Sequence, residues 1–191
     1  DAGAITGLGN EDASLSDTTL AASTLNTLDD NTSGTIDAAS IDELTGAAAD
    51  LNTAYTAFDA GTITGLGDET ITVDSGEATT SEANTLAAAT SEVVTATISD
   101  GDMATLAGLN ETGHAYSITI TDATAAASAL NTLDGKTTVA INASAIDELA
   151  GAAADLNTAY TAFDAGTITG LGDEDASLSD TTLAASVLNT L

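Results

Sequence analysis

The sequence predicts an α/β protein: a right-handed α/β solenoid of stacked strand-helix repeats with a parallel sheet. Three observations lead to this prediction. The chain repeats itself, short runs of alternating residues recur along it, and a stretch rich in Ala and Leu follows most of these runs. A parallel β-helix is the alternative fold, but the long Ala-rich stretches favour helices.

The repeats are long and nearly identical. The stretch GAAADLNTAYTAFDAGTITGLGDE occurs twice without a difference. One longer match contains both copies, and another overlaps the end of the second copy. The matching pairs are 46–69 with 151–174, 22–69 with 127–174, and 1–28 with 164–191. Internal repeats indicate an array in which each unit packs on its neighbours. We therefore expect 1–191 to be a single repeat array and a window of a longer or polymeric one.

Short runs of β-branched and small polar residues predict the strands, because apolar and polar residues alternate in them. The clearest runs follow one another at about 21–26 residues, the spacing of α/β solenoid repeats. The runs are SLSD (14–17), TIDA (35–38), TITVD (70–74), TATISD (95–100), SITITD (117–122), VAINAS (139–144) and SLSD (177–180).

The stretches after the runs predict helices. TTLAASTLNTL (18–28) and ATAAASALNTL (123–133) carry apolar residues at three- and four-residue spacing. A Ser, Thr or Asp closes each run, where it can cap the helix after it. Consecutive strands joined by such helices should be parallel, with right-handed crossovers. The acidic caps expected are Asp17, Asp100, Asp122 and Asp180.

The duplicated stretch lengthens two of the units. Its TITGLG segment forms either an extra short strand or a loop punctuated by Gly65 and Gly67. An aromatic pair precedes it, Tyr55 and Phe58 in the first copy, and we expect this pair to anchor the extension against its helix. As the longest loop, it is the expected contact between neighbouring molecules.

An Asn recurs near the end of each predicted helix. Stacked amides can satisfy backbone groups that the interior of a solenoid leaves unpaired. We therefore expect a structural ladder rather than a row of ligand-binding amides. Its members are Asn26, Asn52, Asn84, Asn110, Asn131, Asn157 and Asn189.

Charge restricts the partners. The chain has 30 acidic residues and a single Lys or Arg, Lys136, so its formal net charge is −29. Binding of nucleic acid requires a basic surface, so no nucleic-acid partner is expected. No apolar run approaches the roughly 18 residues of a membrane span, so no membrane insertion is expected either. Cationic partners fit this charge, divalent metal ions above all.

The absence of Cys and Pro, with abundant Thr, Ser, Asp and Ala, is typical of exported bacterial surface proteins. We therefore expect an extracellular or cell-surface location.

DDNTSGTID (29–37) is the best candidate metal site. Its spacing resembles an EF-hand calcium loop, with oxygen ligands at alternate positions and a Gly for the sharp turn. The acidic residue at position 12 is missing, since Ser40 stands there, and a polar turn between helix and strand is the alternative. Calcium is thus the candidate cofactor of this loop. The candidate ligands are Asp29, Asn31, Ser33, Thr35 and Asp37.

Two further acidic clusters, GNEDASLSD (9–17) and GDEDASLSD (172–180), could hold divalent ions between neighbours, or form a solvated rim. Catalytic candidates are few. His114 is the single imidazole, and no Ser and Asp are marked as its partners in a triad. No nucleotide-binding loop is present. We expect no enzymatic activity.

The segments ASALNTLDGKT (127–137) and AASTLNTLDDNT (21–32) resemble the ALN-x-LDG-x-T motif of phage tail-fibre repeats. They are also similar to repeat arrays of very large extracellular bacterial surface proteins. The resemblance implies a fibrous or cell-surface protein without catalysis, and it carries over no functional residues. Asp30 replaces the Gly of the motif in the first copy.

These patterns predict a non-catalytic structural protein that forms or decorates an extracellular filament, sheath or surface layer. Its partners would be copies of itself, joined end to end or laterally. The alternative is a calcium-dependent adhesin segment that binds a surface glycan or a cell surface.

Overall fold

A computed structural model describes residues 9–182 of the chain. Within this range the strands have two to four residues each. They are β1 (Ala13–Ser14), β2 (Thr19–Ala21), β3 (Ile36–Asp37), β4 (Glu43–Gly46), β5 (Ile63–Thr64), β6 (Thr70–Val73), β7 (Val94–Thr97), β8 (Ala115–Ser117), β9 (Thr124–Ala126), β10 (Ile141–Asn142), β11 (Glu148–Gly151), β12 (Ile168–Thr169) and β13 (Asp175–Leu178). The helices are α1 (Ala22–Asn31), α2 (Ala48–Ala60), α3 (Thr80–Ala89), α4 (Met103–Leu106), α5 (Ala127–Asp134) and α6 (Ala153–Ala165).

The chain divides into two compact units. The first comprises the described residues up to Ala78 together with Glu82–Ala96. The second comprises Thr79–Ser81 together with the described residues from Thr97 onward. In both, the usual order of elements is a strand, a second strand and a helix, which we term a triplet. β1, β2 and α1 form the first triplet, and β3, β4 and α2 form the second. β10, β11 and α6 are the equivalent of this second triplet in the second unit.

In the first unit, strands pair with the corresponding strands of the neighbouring triplets. The first strands form the parallel series β1-β3-β5, with Ile36 of β3 opposite Ile63 of β5. The second strands form the parallel series β2-β4-β6, which continues to β7. In this series Leu20, Leu44 and Ile71 lie side by side.

The second unit repeats this scheme. β10 pairs with β12, with Ile141 opposite Ile168. β11 lies between β9 and β13, and all three are parallel. Helices of successive triplets are also neighbours, α1 against α2 and α5 against α6.

The core is a set of thin layers of aliphatic side chains. The four isoleucines of the first strands, Ile36, Ile63, Ile141 and Ile168, have no exposed surface. Ala22 and its equivalent Ala127, at the starts of α1 and α5, are also fully buried. Such small side chains let the helices pack closely on the strands. Burial of such aliphatic surface is the main stabilising contribution in folds of this kind.

The predicted α/β class is confirmed, with parallel strands alternating with helices. Some boundaries were wrong. The predicted helix at 18–28 begins with strand β2, and that at 123–133 begins with β9. β4 and β11 were missed because their sequences, ELTG and ELAG, have no β-branched alternation. The TITGLG segments contain strands, β5 and β12, and are not plain loops.

Candidate assembly surface and the predicted sites

Three aspartates located after strands each bind the first residue of a helix. In each case a carboxylate oxygen accepts a hydrogen bond from a backbone N–H that has no partner within the helix. The helix dipole adds to the attraction, because it places partial positive charge at this end. The pairs are Asp100 with Thr80 at 2.6 Å, Asp122 with Met103 at 2.6 Å and Asp180 with Ala153 at 2.7 Å.

The sequence predicted that these aspartates cap the helices after them in the chain. For Asp100 and Asp122 this was wrong, whereas the segment that Asp180 would cap lies outside the described residues. The helices they bind begin 20, 19 and 27 residues earlier in the chain. Asp122 is followed by a strand, as is Asp17. The cap of α4 is Asp102, which accepts from the N–H of Thr105 at 2.9 Å. This bond lowers the pKa of Asp102. The aspartates after strands therefore join one triplet to the next.

Two of the predicted ladder asparagines also join triplets. The side-chain amide of Asn26 on α1 donates to the backbone carbonyl of Asp50 on α2 at 2.9 Å. Asn131 on α5 makes the equivalent bond to the carbonyl of Asp155 on α6, also at 2.9 Å. Each Asn is the fifth residue of its helix, and each acceptor is the third residue of the next helix. The amides thus bridge neighbouring helices rather than loops.

The other asparagines of the predicted ladder differ in position. Asn52, Asn84 and Asn157 are also the fifth residues of their helices. Asn110 lies after α4, and Asn189 lies outside the described residues. A continuous ladder through all seven stays a prediction.

The predicted calcium ligands lie on different elements. Asp29 and Asn31 are in the last turn of α1, and Asn31 donates back to the carbonyl of Thr27 at 2.7 Å. The hydroxyl of Ser33 donates to the carbonyl of Gly9 at 3.2 Å. The arrangement is a helix end joined to strand β3 by residues 32–35.

The remaining two candidates, Thr35 and Asp37, contact the neighbouring strand segment. The N–H of Thr35 donates to Asp12, and Asp37 accepts from the hydroxyl of Ser14 at 3.2 Å. Among residues 9–182, no three His, Cys, Asp or Glu side chains gather as a group that could hold a metal ion. Calcium at this loop stays a prediction.

The duplicated stretch contains a buried pair of polar side chains. In the first copy the hydroxyl of Tyr55 on α2 donates to the carboxylate of Glu69, which has no exposed surface. The other oxygen of Glu69 accepts from the N–H groups of Gly67 at 2.7 Å and Asp68 at 3.2 Å. The expectation that Tyr55 anchors the extension is confirmed, and its anchor point is the carboxylate before β6.

Tyr160 and Glu174 are the equivalent residues of the second copy, but here one carboxylate oxygen of Glu174 is buried without a hydrogen-bond partner among the described residues, and the other accepts from the N–H of Gly172 at 2.6 Å. Burial and the nearby carboxylate of Glu174 raise the pKa of Tyr160 to about 12. Burial also works to raise the pKa of Glu174. The nearby Tyr160 hydroxyl and the backbone N–H groups from Gly172 to Glu174 outweigh it, so the pKa of Glu174 lies below its usual value. The pair therefore holds one neutral hydroxyl and one ionised carboxylate.

The strand after this second pair is an edge. All four residues of β13 are exposed, and within the described part of the chain β13 pairs with β11 alone. Its counterpart β6 lies between β4 and β7 and has two buried residues, Ile71 and Val73. We term Asp175–Leu178 the β13 edge. An unpaired strand edge is a template for another strand.

His114 is buried and lies beside Tyr116, with ring centroids 5.4 Å apart. Burial lowers the pKa of His114, and the nearby Glu111 works against this. Burial also raises the pKa of Tyr116 to about 12. A neutral imidazole packed against an aromatic ring is typical of a core residue.

A pocket of about 250 Å³ lies between α4, which has only four residues, and α5. Leu106, Leu109 and Leu133 line it, and Lys136 stands at its rim. The ammonium group of Lys136 donates to the carbonyl of Asn110 at 2.8 Å. The pocket is mainly apolar.

None of the helices between residues 9 and 182 combines the length and the apolar character that a membrane span requires. Comparison with protein-family models, with curated proteins and with solved structures finds no match to this chain.

Proposed function

We propose that this chain is a non-catalytic structural protein whose acidic repeats stack into an extracellular filament, sheath or surface layer. One observation carries the proposal: strands of successive triplets pair in parallel at equivalent positions in both copies of the repeat. Thr19, Glu43 and Thr70 lie side by side in the first unit, and Thr124, Glu148 and Asp175 do so in the second. Each triplet thus offers the next triplet the same kind of strand edge as the one with which it pairs itself.

The fold that fits this function is a right-handed α/β solenoid. Parallel strands joined by crossovers are right-handed in almost all proteins, and stacking then proceeds in one direction. Repeat proteins of this type are stabilised by contacts between neighbours, so length is not limited by the size of a single core.

The polar side chains of the repeats support a structural role. Asn26 binds the backbone of the next helix, and Asp100 binds the start of an earlier one. The hydroxyl of Thr90 donates to the carbonyl of Glu69 at 2.6 Å, and that of Thr32 to the carbonyl of Glu11 at 2.7 Å. These groups satisfy backbone atoms of adjacent segments. Polar groups used in this way hold a stack together and do not form a reaction centre.

The alternative, a glycan-binding adhesin segment, receives less support. Sugar binding commonly uses exposed aromatic rings as stacking platforms. Tyr55 and Tyr116 are buried in this structure, and Phe58, Tyr160 and Phe163 are half-buried. No aromatic side chain lines the pocket beside Lys136.

Assembly should depend on ionic conditions. With 30 acidic residues and one basic residue, copies of the chain repel one another. Salt shortens the range of this repulsion to about 10 Å at 0.1 M, and divalent ions can bridge carboxylates. Low ionic strength should keep the chain dispersed, whereas calcium or magnesium should promote association.

Sedimentation velocity and negative-stain electron microscopy test the proposal on the same sample. We expect a shift from monomers to long uniform filaments or sheets as protein concentration and calcium rise. Sodium chloride at matched ionic strength is the control for screening alone. A chain that stays monomeric and well folded at high concentration, with and without calcium, would contradict the proposal.

A further inference from the structure

Two almost identical segments occupy different places in the fold. GNEDASLSD (9–17) and GDEDASLSD (172–180) differ only in having Asn10 or Asp173. In the first, Ala13–Ser14 forms β1, the first strand of its triplet, which pairs with β3. In the second, Asp175–Leu178 forms β13, a second strand, which pairs with β11. The sequence of the segment therefore does not determine its partner strand.

Both placements use the same kind of backbone bonds. In β1 the N–H of Ala13 donates to the carbonyl of Thr35 at 3.0 Å, and that of Leu15 to Asp37 at 2.9 Å. In β13 the N–H of Asp175 donates to the carbonyl of Asp147 at 2.8 Å. Moving the segment from one partner strand to the other thus replaces backbone hydrogen bonds by backbone hydrogen bonds of the same kind.

A glycine permits the first placement. A Cβ at Gly34 would overlap the backbone of Glu11 and lie 2.8 Å from the nitrogen of Asp12. The equivalent residue of the second copy is Val139, whose side chain is 39% exposed. Gly34 is therefore what lets the segment before β1 lie close to the chain before β3.

The second placement is weakly protected. The β13 edge is exposed throughout, and within residues 9–182 it is held by β11 on one side. Edge strands with few buried contacts open at lower free energy than central strands. Among the described residues, separating β13 from β11 therefore uncovers less buried surface than separating β6 from β4, since Ile71 and Val73 of β6 are buried.

We propose that Asp12–Leu15 of a second copy of this chain takes the place of β13 on β11, so that copies join by strand exchange. This inference rests on the proposed function, because it names the joint between stacking copies. In the resident register Ala176 lies opposite Leu149, and Ser177 opposite Ala150. The incoming Ala13 and Ser14 would take these two positions.

The exchange conserves interactions. The displaced Asp175–Leu178 has the same sequence as the segment that leaves β3, so it can occupy the vacated place in turn. Exchange of an identical element between protomers is a low-cost route to association, because the contacts within and between molecules are the same.

Cysteine cross-linking tests this joint, and the absence of native Cys keeps the test clean. Full-length Ser14→Cys and Ala150→Cys molecules, with tags of different size, are mixed under mild oxidation in assembly conditions. We expect a disulfide-linked heterodimer. The matched control replaces Ala150→Cys by Thr45→Cys, the equivalent position on β4, whose neighbour β6 also pairs with β7. Because an ordered contact raises the effective concentration of the thiols, the yield should be on the order of tenfold higher with Ala150→Cys.

A fourth variant adds a second comparison. Adding Gly34→Val to the Ser14→Cys molecule should raise the heterodimer yield, because it displaces the segment from β3. If this variant misfolds, the comparison of Ala150→Cys with Thr45→Cys still decides. Equal yields with these two partners would overturn the strand exchange.

Electron microscopy of the same mixtures separates the two proposals. Filaments without the Ser14–Ala150 cross-link reject the exchange and leave the proposed function standing. The specific cross-link without filaments or sheets supports the exchange and contradicts the proposed function. Absence of both rejects both.

Discussion

The two copies of the duplicated stretch have the same 24 residues but not the same surroundings. In the first copy Tyr55 is 5% exposed and Glu69 is fully buried, whereas Tyr160 and Glu174 are half-buried. In the first copy the chain segment that follows covers the pair. After the first copy, Ser91 donates its N–H to the carbonyl of Gly67 at 2.9 Å, and β7 pairs with β6. The next triplet thus contributes to the burial of this polar pair in the first copy.

The same comparison extends to the strands. β6 and β13 are equivalent in sequence position, yet one is central and the other is an edge. If neighbours provide the protection, equivalent substitutions should have larger effects in the first copy than in the second. Substitutions at sites with the same neighbours in both copies should have equal effects.

The largest difference is expected at the buried carboxylate. Glu69→Ala removes the acceptor of the Tyr55 hydroxyl and of two backbone N–H groups in a buried site. Leaving such donors unpaired should cost about 3 kcal/mol of unfolding free energy. Glu174→Ala should cost about 1 kcal/mol, because Glu174 is half-buried and its carboxylate is the acceptor of the Gly172 N–H but not of the Tyr160 hydroxyl. Urea unfolding of the two variants measures the difference. Equal losses would show that the next triplet does not set the burial.

The aspartates that bind helix starts provide a second comparison. Loss of a capping carboxylate costs about 0.5–2 kcal/mol. We expect Asp100→Ala, at a half-buried residue, to lie at the upper end of this range and Asp180→Ala, at an exposed one, at the lower end. Thermal unfolding followed by circular dichroism compares them, with Asp173→Ala, at an exposed residue before β13, as the control. A larger loss for Asp180→Ala than for Asp100→Ala would contradict the prediction.

The helix-bridging asparagines should behave alike, because both copies have the same pair of helices. Asn26→Ala and Asn131→Ala each remove one amide–carbonyl bond, so each should lose about 1 kcal/mol. Chemical unfolding of both variants gives the comparison. A clear inequality would mean that the two helix pairs are not equivalent.

The smallest effect is expected at alkaline pH. The pKa of Tyr160 is raised from 10.0 to about 12, so the folded state favours the neutral hydroxyl. This contribution to stability is fully present below pH 10 and is lost as the pH rises to about 12. The unfolding midpoint of the wild-type chain should therefore fall more steeply across this window than that of Tyr160→Phe. Parallel pH profiles would indicate that Tyr160 does not contribute.

Some elements could be predicted from the sequence because their patterns are local. The alternation in TITVD (70–74) predicts β6, and the spacing of Leu25 and Leu28 predicts α1. The parallel pairing could be inferred from the alternation of strands and helices. These features require only information within one triplet.

Other features could not be predicted because they depend on neighbours. Nothing within the segment around Asp100 marks Thr80 as its partner, since the bond joins residues 20 positions apart. The different placements of β1 and β13 come from one sequence, so no local pattern can distinguish them. Gly34 is the exception, because its replacement by Val139 in the second copy is visible in the sequence.

The most direct test of neighbour-dependent protection is amide hydrogen exchange of β13 and β6 as protein concentration and calcium are raised. Peptides that cover 172–180 and 9–17 differ in mass, because Asp173 stands in place of Asn10. In dilute protein, β13 should exchange much faster than β6. On assembly, its exchange should slow toward that of β6, because a strand of another copy covers the edge. Equal amide exchange rates of β13 and β6 in dilute solution would contradict protection by neighbouring strands. So would an unchanged exchange rate of β13 in filaments.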